Sequence, residues 1–253
     1  MALIFLDLDG TALHKGKPAK GVMESIAALK ANNHLVALAT GRSPLLLYGN
    51  DKLFGTELLV LANGGYVLVG EKVIHERYIP SELVKKIMDY SDKEKTDLVI
   101  EYDDEYISYR KDSDIADRFS EIFHIENPRF DGKFYPERKV YSMLVFNKDN
   151  VEDMIKSLPE LAFNQSNALG YDVNLKGELK AEGVKAMVEY LNYPWEETYA
   201  IGDGHNDITM LKYVRHGIAM GNANQDVKSA AEYVTDDVNE YGVMNALKHY
   251  KLI

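Results

Sequence analysis

Cysteine is absent from the 253-residue chain, which excludes disulfides, zinc–thiolate centres and thiol nucleophiles. Long apolar runs are missing too: nothing approaches the roughly 20 residues that a membrane-spanning helix needs. The apolar stretch Leu3 to Leu6 is too short for the core of a secretory signal and runs straight into acids. Positive charge is in short supply. With 29 Lys and Arg against 40 Asp and Glu, the net charge of −11 argues against nucleic acid or an anionic membrane as partner. It does not argue against a small anion, because a metal ion and a few placed cations invert the field locally. Neither G-x-G-x-x-G nor a Walker lysine signature occurs, so nucleotide-binding readings lack their usual support. These absences lead to the expectation of a soluble, cytoplasmic protein with no nucleic-acid or membrane partner; they do not bear on oligomeric state, for which monomer and homodimer both stay open.

What is present starts with Ile4-Phe5-Leu6-Asp7-Leu8-Asp9-Gly10-Thr11. Ala2 to Leu6 reads as a short buried strand. Asp7 and Asp9 are two apart and leave the end of that strand on one face. Gly10 permits a sharp turn, and Thr11 can cap the next stretch of backbone. Two carboxylates in such a place repel unless a cation joins them, which suggests a hard metal such as Mg²⁺; the plainer reading is an acidic turn. A second signal weighs against the plainer reading. Thr198 to Ile201 reads as another buried strand and runs into Gly202-Asp203-Gly204-His205-Asn206-Asp207. Asn206 and Asp207 open a helix there, where backbone N–H groups favour anions. Two more strands, His34 to Ala39 and Leu58 to Ala62, end on Thr40-Gly41-Arg42 and Asn63-Gly64-Gly65. In an open α/β sheet the C-terminal strand ends are where chemistry gathers.

The periodicities order the rest. Lys20 to Asn32 carries Val22, Ile26 and Leu29 at helical spacing, so the first stretch alternates strand and helix and predicts a parallel sheet. Ser43-Pro44 opens a short helix, with proline at a tolerated first-turn position. Tyr66 to Val69 with Val73 to His75 reads as a hairpin. From about Pro80 the texture changes, with more tyrosine, more charge and strands that look hairpin-paired. Ser81 to Tyr90, Asp112 to His124 and Asn150 to Leu158 read as helices. Asp97 to Tyr102, Tyr106 to Tyr109, Lys139 to Phe146, Leu161 to Asn164 and Tyr171 to Leu175 read as strands. Glu182 to Leu191 resumes the α/β rhythm, which continues to a closing helix at Tyr241 to Tyr250. The expected organisation is a Rossmann-like parallel-sheet core over 1–80 and 177–253, with an inserted α+β cap domain over 81–176.

Asp7-x-Asp9-Gly10-Thr11, Thr40-Gly41-Arg42, a lysine before a late helix and Gly202-Asp203-Gly204-x-Asn206-Asp207 appear in that order. Together they resemble the haloacid dehalogenase (HAD) superfamily, in particular its Cof-type phosphatases with a large inserted cap. Asn63-Gly64 and Ala219-Met220-Gly221-Asn222-Ala223 are also typical of that subgroup. Ala12 and Gly65 depart from the more usual leucine and alanine, and neither touches the implied chemistry. The resemblance implies that Asp7 is the nucleophile, forming an aspartyl-phosphate. Asp9 would protonate the leaving alcohol and then activate water. The Leu8 backbone, Thr40, the Gly41 N–H, Asn206 and a lysine would hold phosphate, with Arg42 as a further cation. Asp7, the Asp9 carbonyl and Asp203 would bind Mg²⁺, supported by Asp207. The substrate implied is a small phosphorylated metabolite, a sugar phosphate among the options.

The lysine is one of Lys176, Lys180 and Lys185. The family pattern favours Lys180, with Lys176 second. Four carboxylates against a divalent cation and one lysine leave a single net negative charge before phosphate arrives, so such a lysine is needed. His205, His14 and Trp195 read as a surface residue, a solvated loop histidine and a packing residue. The tyrosines between Tyr102 and Tyr171 read as cover for a sheet face. Two alternatives stay open: transfer of the phosphoryl group to a second hydroxyl, as in a phosphomutase, and a receiver protein that stores phosphate on Asp7.

Overall fold

The computed structural model describes residues 1–47, 49–111, 126–146, 151–167, 170–177 and 179–253. The helix expected over 112–124 lies outside the described residues. Packing divides the chain into two compact units. One comprises Met1–Gly41, Tyr48–Glu76 and Glu178–Ile253; the other comprises Arg42–Leu47 and Arg77–Gly177.

The first unit opens with β1 (Leu3–Leu6), whose four residues are all buried. Such continuous apolarity belongs to a strand covered on both faces. A small ribbon comes next, Leu13–His14 against Lys17–Pro18. Helix α1 (Val22–Ala31) buries Val22, Ser25, Ile26 and Leu29, the single face that a 3.6-residue period provides. The chain continues through β2 (Leu35–Ala39), the short helix α2 (Asn50–Phe54) and β3 (Leu58–Leu61). Then come β4 (Tyr66–Val69) and β5 (Lys72–Glu76), which form the expected hairpin.

The second unit carries α3 (Ser81–Glu94), β6 (Asp97–Glu101), β7 (Tyr106–Ser108), β8 (Ser142–Phe146), α4 (Val151–Ser157), β9 (Leu161–Asn167) and β10 (Gly170–Leu175). Its sheet runs Arg129–Phe130, β7, β6, β8, β10, β9, and every pair except the first is antiparallel. Alternation along the strands separates its two faces. Leu98, Ile100, Met143, Val145 and Val173 pack with Leu83, Ile87 and Met88 of α3. Val99, Leu144 and Phe146 on the opposite face pack with Leu46. The segment Arg42–Leu47 thus belongs to this unit by burial, although the sequence places it among the strands of the first.

The chain returns to the first unit with α5 (Leu179–Tyr190), β11 (Thr198–Gly202), α6 (Ile208–Tyr213), β12 (His216–Ala219), α7 (Gln225–Ala230), β13 (Tyr233–Val234) and α8 (Gly242–His249). The completed sheet has the order β13-β12-β11-β1-β2-β3-β4-β5, with β3-β4-β5 antiparallel and the rest parallel. Starting from β1, the chain first builds β2 and β3 on one side and later β11 and β12 on the other. The order therefore reverses at β1/β11, the switch point where an α/β sheet opens a crevice for ligands.

Candidate active site

Register alone puts the motif residues side by side. Leu6 pairs with Ile201 on one flank and with Leu38 on the other. The next residue on each strand is Asp7, Gly202 or Ala39; one step further are Asp203 and Thr40. All leave the same edge because the strands are parallel. Asp7 donates its N–H to the Ile201 carbonyl at 2.9 Å, so the ladder holds its backbone up to the point of departure.

Beyond Asp7 the chain reverses. Gly10 has φ +88°, and a side chain there would run into the Asp203 carboxylate. That position needs glycine both for its conformation and for the space Asp203 fills. Thr11 Oγ1 donates to Asp203 Oδ1 at 2.9 Å, and Asn222 Nδ2 donates to Asp203 Oδ2 and to the Gly10 carbonyl, each at 3.0 Å. Asn222 Oδ1 accepts the Val238 N–H in turn, at 3.0 Å. The two acidic loops are therefore tied to each other through Thr11 and Asn222.

Asp207 is fully buried and organises its own loop. Its Oδ2 accepts the Asp203 N–H at 2.9 Å and the Gly204 N–H at 2.8 Å. A Cβ on Gly202 would collide with this carboxylate. The Oδ1 of Asp207 receives the Lys180 ammonium, which also donates to Asp7 Oδ1 at 2.8 Å. Lys180 enters from the first turn of α5 and is 2% exposed. Of the other two lysines considered, Lys176 is exposed in the second unit, and Lys185 is exposed on α5 beside Glu189. Of the three, Lys180 is the one brought to the carboxylates.

The electrostatics of the cluster are strained in one direction. Burial, then the neighbouring Asp207 and Asp203 charges, push the Asp7 carboxyl well above its usual range, and Lys180 opposes them. Asp203 is pushed up to about 6, chiefly by burial; the Thr11 hydrogen bond and Lys180 oppose, while Asp207 and Asp9 add to it. Burial works against the Lys180 ammonium, yet Asp207 and Asp7 hold its pKa above the ordinary value. Among the described residues, Asp7, Asp203 and Asp207 bring one carboxylate oxygen each within 4.8 Å of one another. An all-oxygen set with surplus negative charge suits a hard divalent cation. These residues fit such an ion; hydrogen bonds already orient both oxygens of Asp203 and both of Asp207, and Lys180 holds Asp7 Oδ1.

Asp9 is exposed, and its charge reaches Asp203. Thr40 is buried; its N–H donates to the Val60 carbonyl at 2.9 Å, and its own carbonyl accepts the Asn63 N–H at 3.0 Å. Asn206 Nδ2 donates to Asn63 Oδ1 at 2.8 Å. Gly41 closes the first-unit segment after Thr40, whereas Arg42 begins the next unit and donates to the Leu46 carbonyl at 3.1 Å. Of the expected phosphate-handling groups, Arg42 is the one the packing sets apart. His205 is exposed and bonds Asp226, as a surface residue should. Two residues gain a part that spacing did not assign. Asn222 and Asn63 each bridge loops that are far apart in sequence, and only their position within subgroup-like stretches marked them.

A mostly parallel sheet, with carboxylates and a buried lysine gathered at its switch point, is the frame of an α/β enzyme site. The family profile of haloacid dehalogenase-like hydrolases matches residues 4–247, and the chain belongs to that family. It is 31% identical over 252 residues to "Putative phosphatase YkrA" of Bacillus subtilis (strain 168), covering 99% of this chain and 98% of that protein. It is 30% identical over 266 residues to the 5-amino-6-(5-phospho-D-ribitylamino)uracil phosphatase YitU of the same organism, covering 98% and 97%. Among solved structures, the HAD subclass IIB sugar phosphatase BT4131 superposes with a TM-score of 0.86 at 28% identity, covering 100% of both chains. These relatives, all named as phosphatases, place the similarity in the Cof-type branch of the family.

Proposed function

We propose that the chain hydrolyses phosphate monoesters of small sugars or polyols, through an aspartyl-phosphate on Asp7 and with Mg²⁺ bound. The observation that carries this reading is Lys180, buried between Asp7 and Asp207 at the sheet's switch point. An ammonium there holds one Asp7 oxygen and leaves the second for attack.

In the first half-reaction an Asp7 carboxylate oxygen bonds to phosphorus and the ester P–O bond breaks. The leaving alcohol oxygen takes its proton from Asp9. In the second, water attacks the same phosphorus and gives a proton to Asp9. The bond from phosphorus to Asp7 then breaks, releasing inorganic phosphate and restoring both acids. An exposed Asp9 suits this exchange, since it must meet both the leaving group and water. Thr40, the Gly41 N–H, the Leu8 backbone, Asn206 and Lys180 neutralise the phosphoryl oxygens as charge spreads over them. Asp7 and Asp203, with the Asp9 carbonyl, are the groups to hold Mg²⁺, and Asp207 supports them by fixing Lys180 and the Asp203 loop. A bound divalent cation supplies charge neutralisation between carboxylate and phosphate. The substrate class is drawn from the relatives: one is named for a ribityl phosphate and one for sugar phosphates.

The test is release of inorganic phosphate from a panel of sugar and polyol phosphates. Turnover is expected to stop in chelator and to return with Mg²⁺. Asp7→Asn should lower it by about three orders of magnitude or more, as loss of a covalent nucleophile does. An Asp7→Asn protein that turns over within about tenfold of the parent would exclude Asp7 as nucleophile.

A further inference from the structure

Three consecutive residues after β3 adopt left-handed conformations: Ala62 at φ +49°, Asn63 at φ +54° and Gly64 at φ +95°. Alanine in that region costs energy, and non-glycine residues are held there only when the surroundings fix them. The surroundings here are specific. The Asn63 N–H is taken by the Thr40 carbonyl at 3.0 Å. On the other side α5 presses against the turn, since a Cβ on Gly183 would lie 2.7 Å from the Gly64 Cα. The same helix carries Lys180 in its first turn.

The strained turn delivers one side chain between two loops. Asn63 Oδ1 accepts the Asn206 Nδ2 hydrogen bond at 2.8 Å. The same carboxamide lies over Gly41, where a Cβ would be 3.1 Å from Asn63 Oδ1 and 3.3 Å from its Nδ2. Asn63 therefore touches the Thr40–Gly41 loop through its backbone and side chain, and Asn206 through its side chain. We infer that Asn63 is a positioning residue that fixes the direction of the Asn206 carboxamide relative to the Thr40–Gly41 loop, so that both meet one phosphoryl group.

The inference rests on the phosphatase reading, in which Asn206 and the Thr40–Gly41 loop hold phosphate. With one Asn206 N–H committed to Asn63 Oδ1, its amide plane is set and the other N–H points in a fixed direction. A donor held in place before phosphate arrives needs no reorganisation when it binds. The role concerns binding of the phosphoryl group itself, so it applies to every ester alike, whatever the alcohol.

Asn63→Gly is the informative variant, because glycine accepts φ +54° without strain and only the carboxamide is lost. We expect KM for several phosphate esters, and the inhibition constant of inorganic phosphate, to rise together by about tenfold. The midpoint of thermal unfolding should hold or rise. Asn206→Ala should do the same, and the double variant should be little worse than Asn206→Ala alone, since the two side chains act as one unit. A merely structural role would lower kcat through loss of active enzyme and leave the phosphate inhibition constant unmoved. An Asn63→Gly protein within about twofold of the parent in both constants overturns the inference. So do single effects that multiply in the double variant. The parent and Asp7→Asn, run beside them, separate the two readings. A parent that releases no phosphate, or an active Asp7→Asn, overturns the phosphatase reading and this inference with it. An active parent, a dead Asp7→Asn and an unaffected Asn63→Gly overturn this inference alone.

Discussion

Lys180 carries its ammonium between two carboxylates where water does not reach, so removing it strands like charges in a buried site. Breaking one side of such a cluster costs on the order of 3–5 kcal/mol. Lys180→Met should lose about that much stability in chelator, along with phosphate release. Adding Asp207→Asn removes one stranded charge while an amide oxygen can still accept the Asp203 and Gly204 N–H groups. The double variant should therefore regain part of the stability and none of the turnover. Urea unfolding of the parent and both variants checks this. A Lys180→Met protein within about 1 kcal/mol of the parent would show that the pairing holds little. At this scale the sequence is informative where chemistry restricts the residue type. Asp7, Asp203 and Asp207 stand out because carboxylates gathered at the ends of buried strands repel one another unless a cation joins them. Spacing does not decide between Lys176 and Lys180, since burial is the property that separates them. Asn63 and Asn222 are visible only as parts of longer stretches. Their contacts join loops 143 and 212 residues apart, which no local pattern reveals.

The strand β6 holds a titrating group outside the active site. Glu101 is 3% exposed, and burial pushes its carboxyl up to about 7 from the ordinary 4.5. The nearby Ser43 hydroxyl opposes this shift without reaching hydrogen-bond geometry with Glu101 Oε2, and the Asp172 charge adds to it. A raised folded-state pKa means that the folded chain keeps a proton that the unfolded chain has released. Between about 4.5 and 7 the folded state binds more protons, so stability falls as pH rises through that window and levels off above it. The loss is on the order of 3 kcal/mol at most. Glu101→Gln cannot ionise and should remove this slope, matching the parent near pH 5 and exceeding it near pH 8. Hydrogen exchange of the β6 and β8 amides at both pH values reads the effect within the second unit. Equal parent-to-variant differences at the two values would show that Glu101 does not titrate in the window. Elements are legible where a helical period or an unbroken apolar run marks them: β1, α1, β6 and α5 lie close to the expected stretches. α3 runs on to Glu94, past the expected end at Tyr90, because Ser91 is still buried. The helix α2 has no signature in the sequence. Its five residues are too few for a period, and Gly49 and Gly55 on either side both have positive φ.

At the level of the whole molecule, packing assigns Arg42–Leu47 to the unit that otherwise spans Arg77–Gly177. The hydrophobic pattern of those residues fits a short helix anywhere, so only the tertiary contact of Leu46 with Val99, Leu144 and Phe146 reveals where they belong. This changes how the roles of the two units are separated by experiment. Every group proposed to handle phosphate, Arg42 excepted, belongs to the first unit, and phosphate is common to all substrates. Discrimination between alcohols must then draw on other residues, and the second unit holds no group assigned to phosphate apart from Arg42. We expect that replacing 77–177 with the corresponding segment of a related phosphatase shifts the ranking of sugar and polyol phosphates toward that of the donor. Dependence on Mg²⁺ and on Asp7 should be unchanged. A chimaera that exchanges 77–177 alone sets Leu46 against a foreign sheet face, and mismatched packing of one large apolar side chain costs on the order of 1–3 kcal/mol. One that also exchanges 42–47 restores the native partner and should recover that loss, measured as the midpoint of urea unfolding. The two chimaeras thus report on different claims. If both rank substrates as the parent does, specificity does not reside in the second unit; if they unfold at the same urea concentration, the 42–47 segment is not part of it.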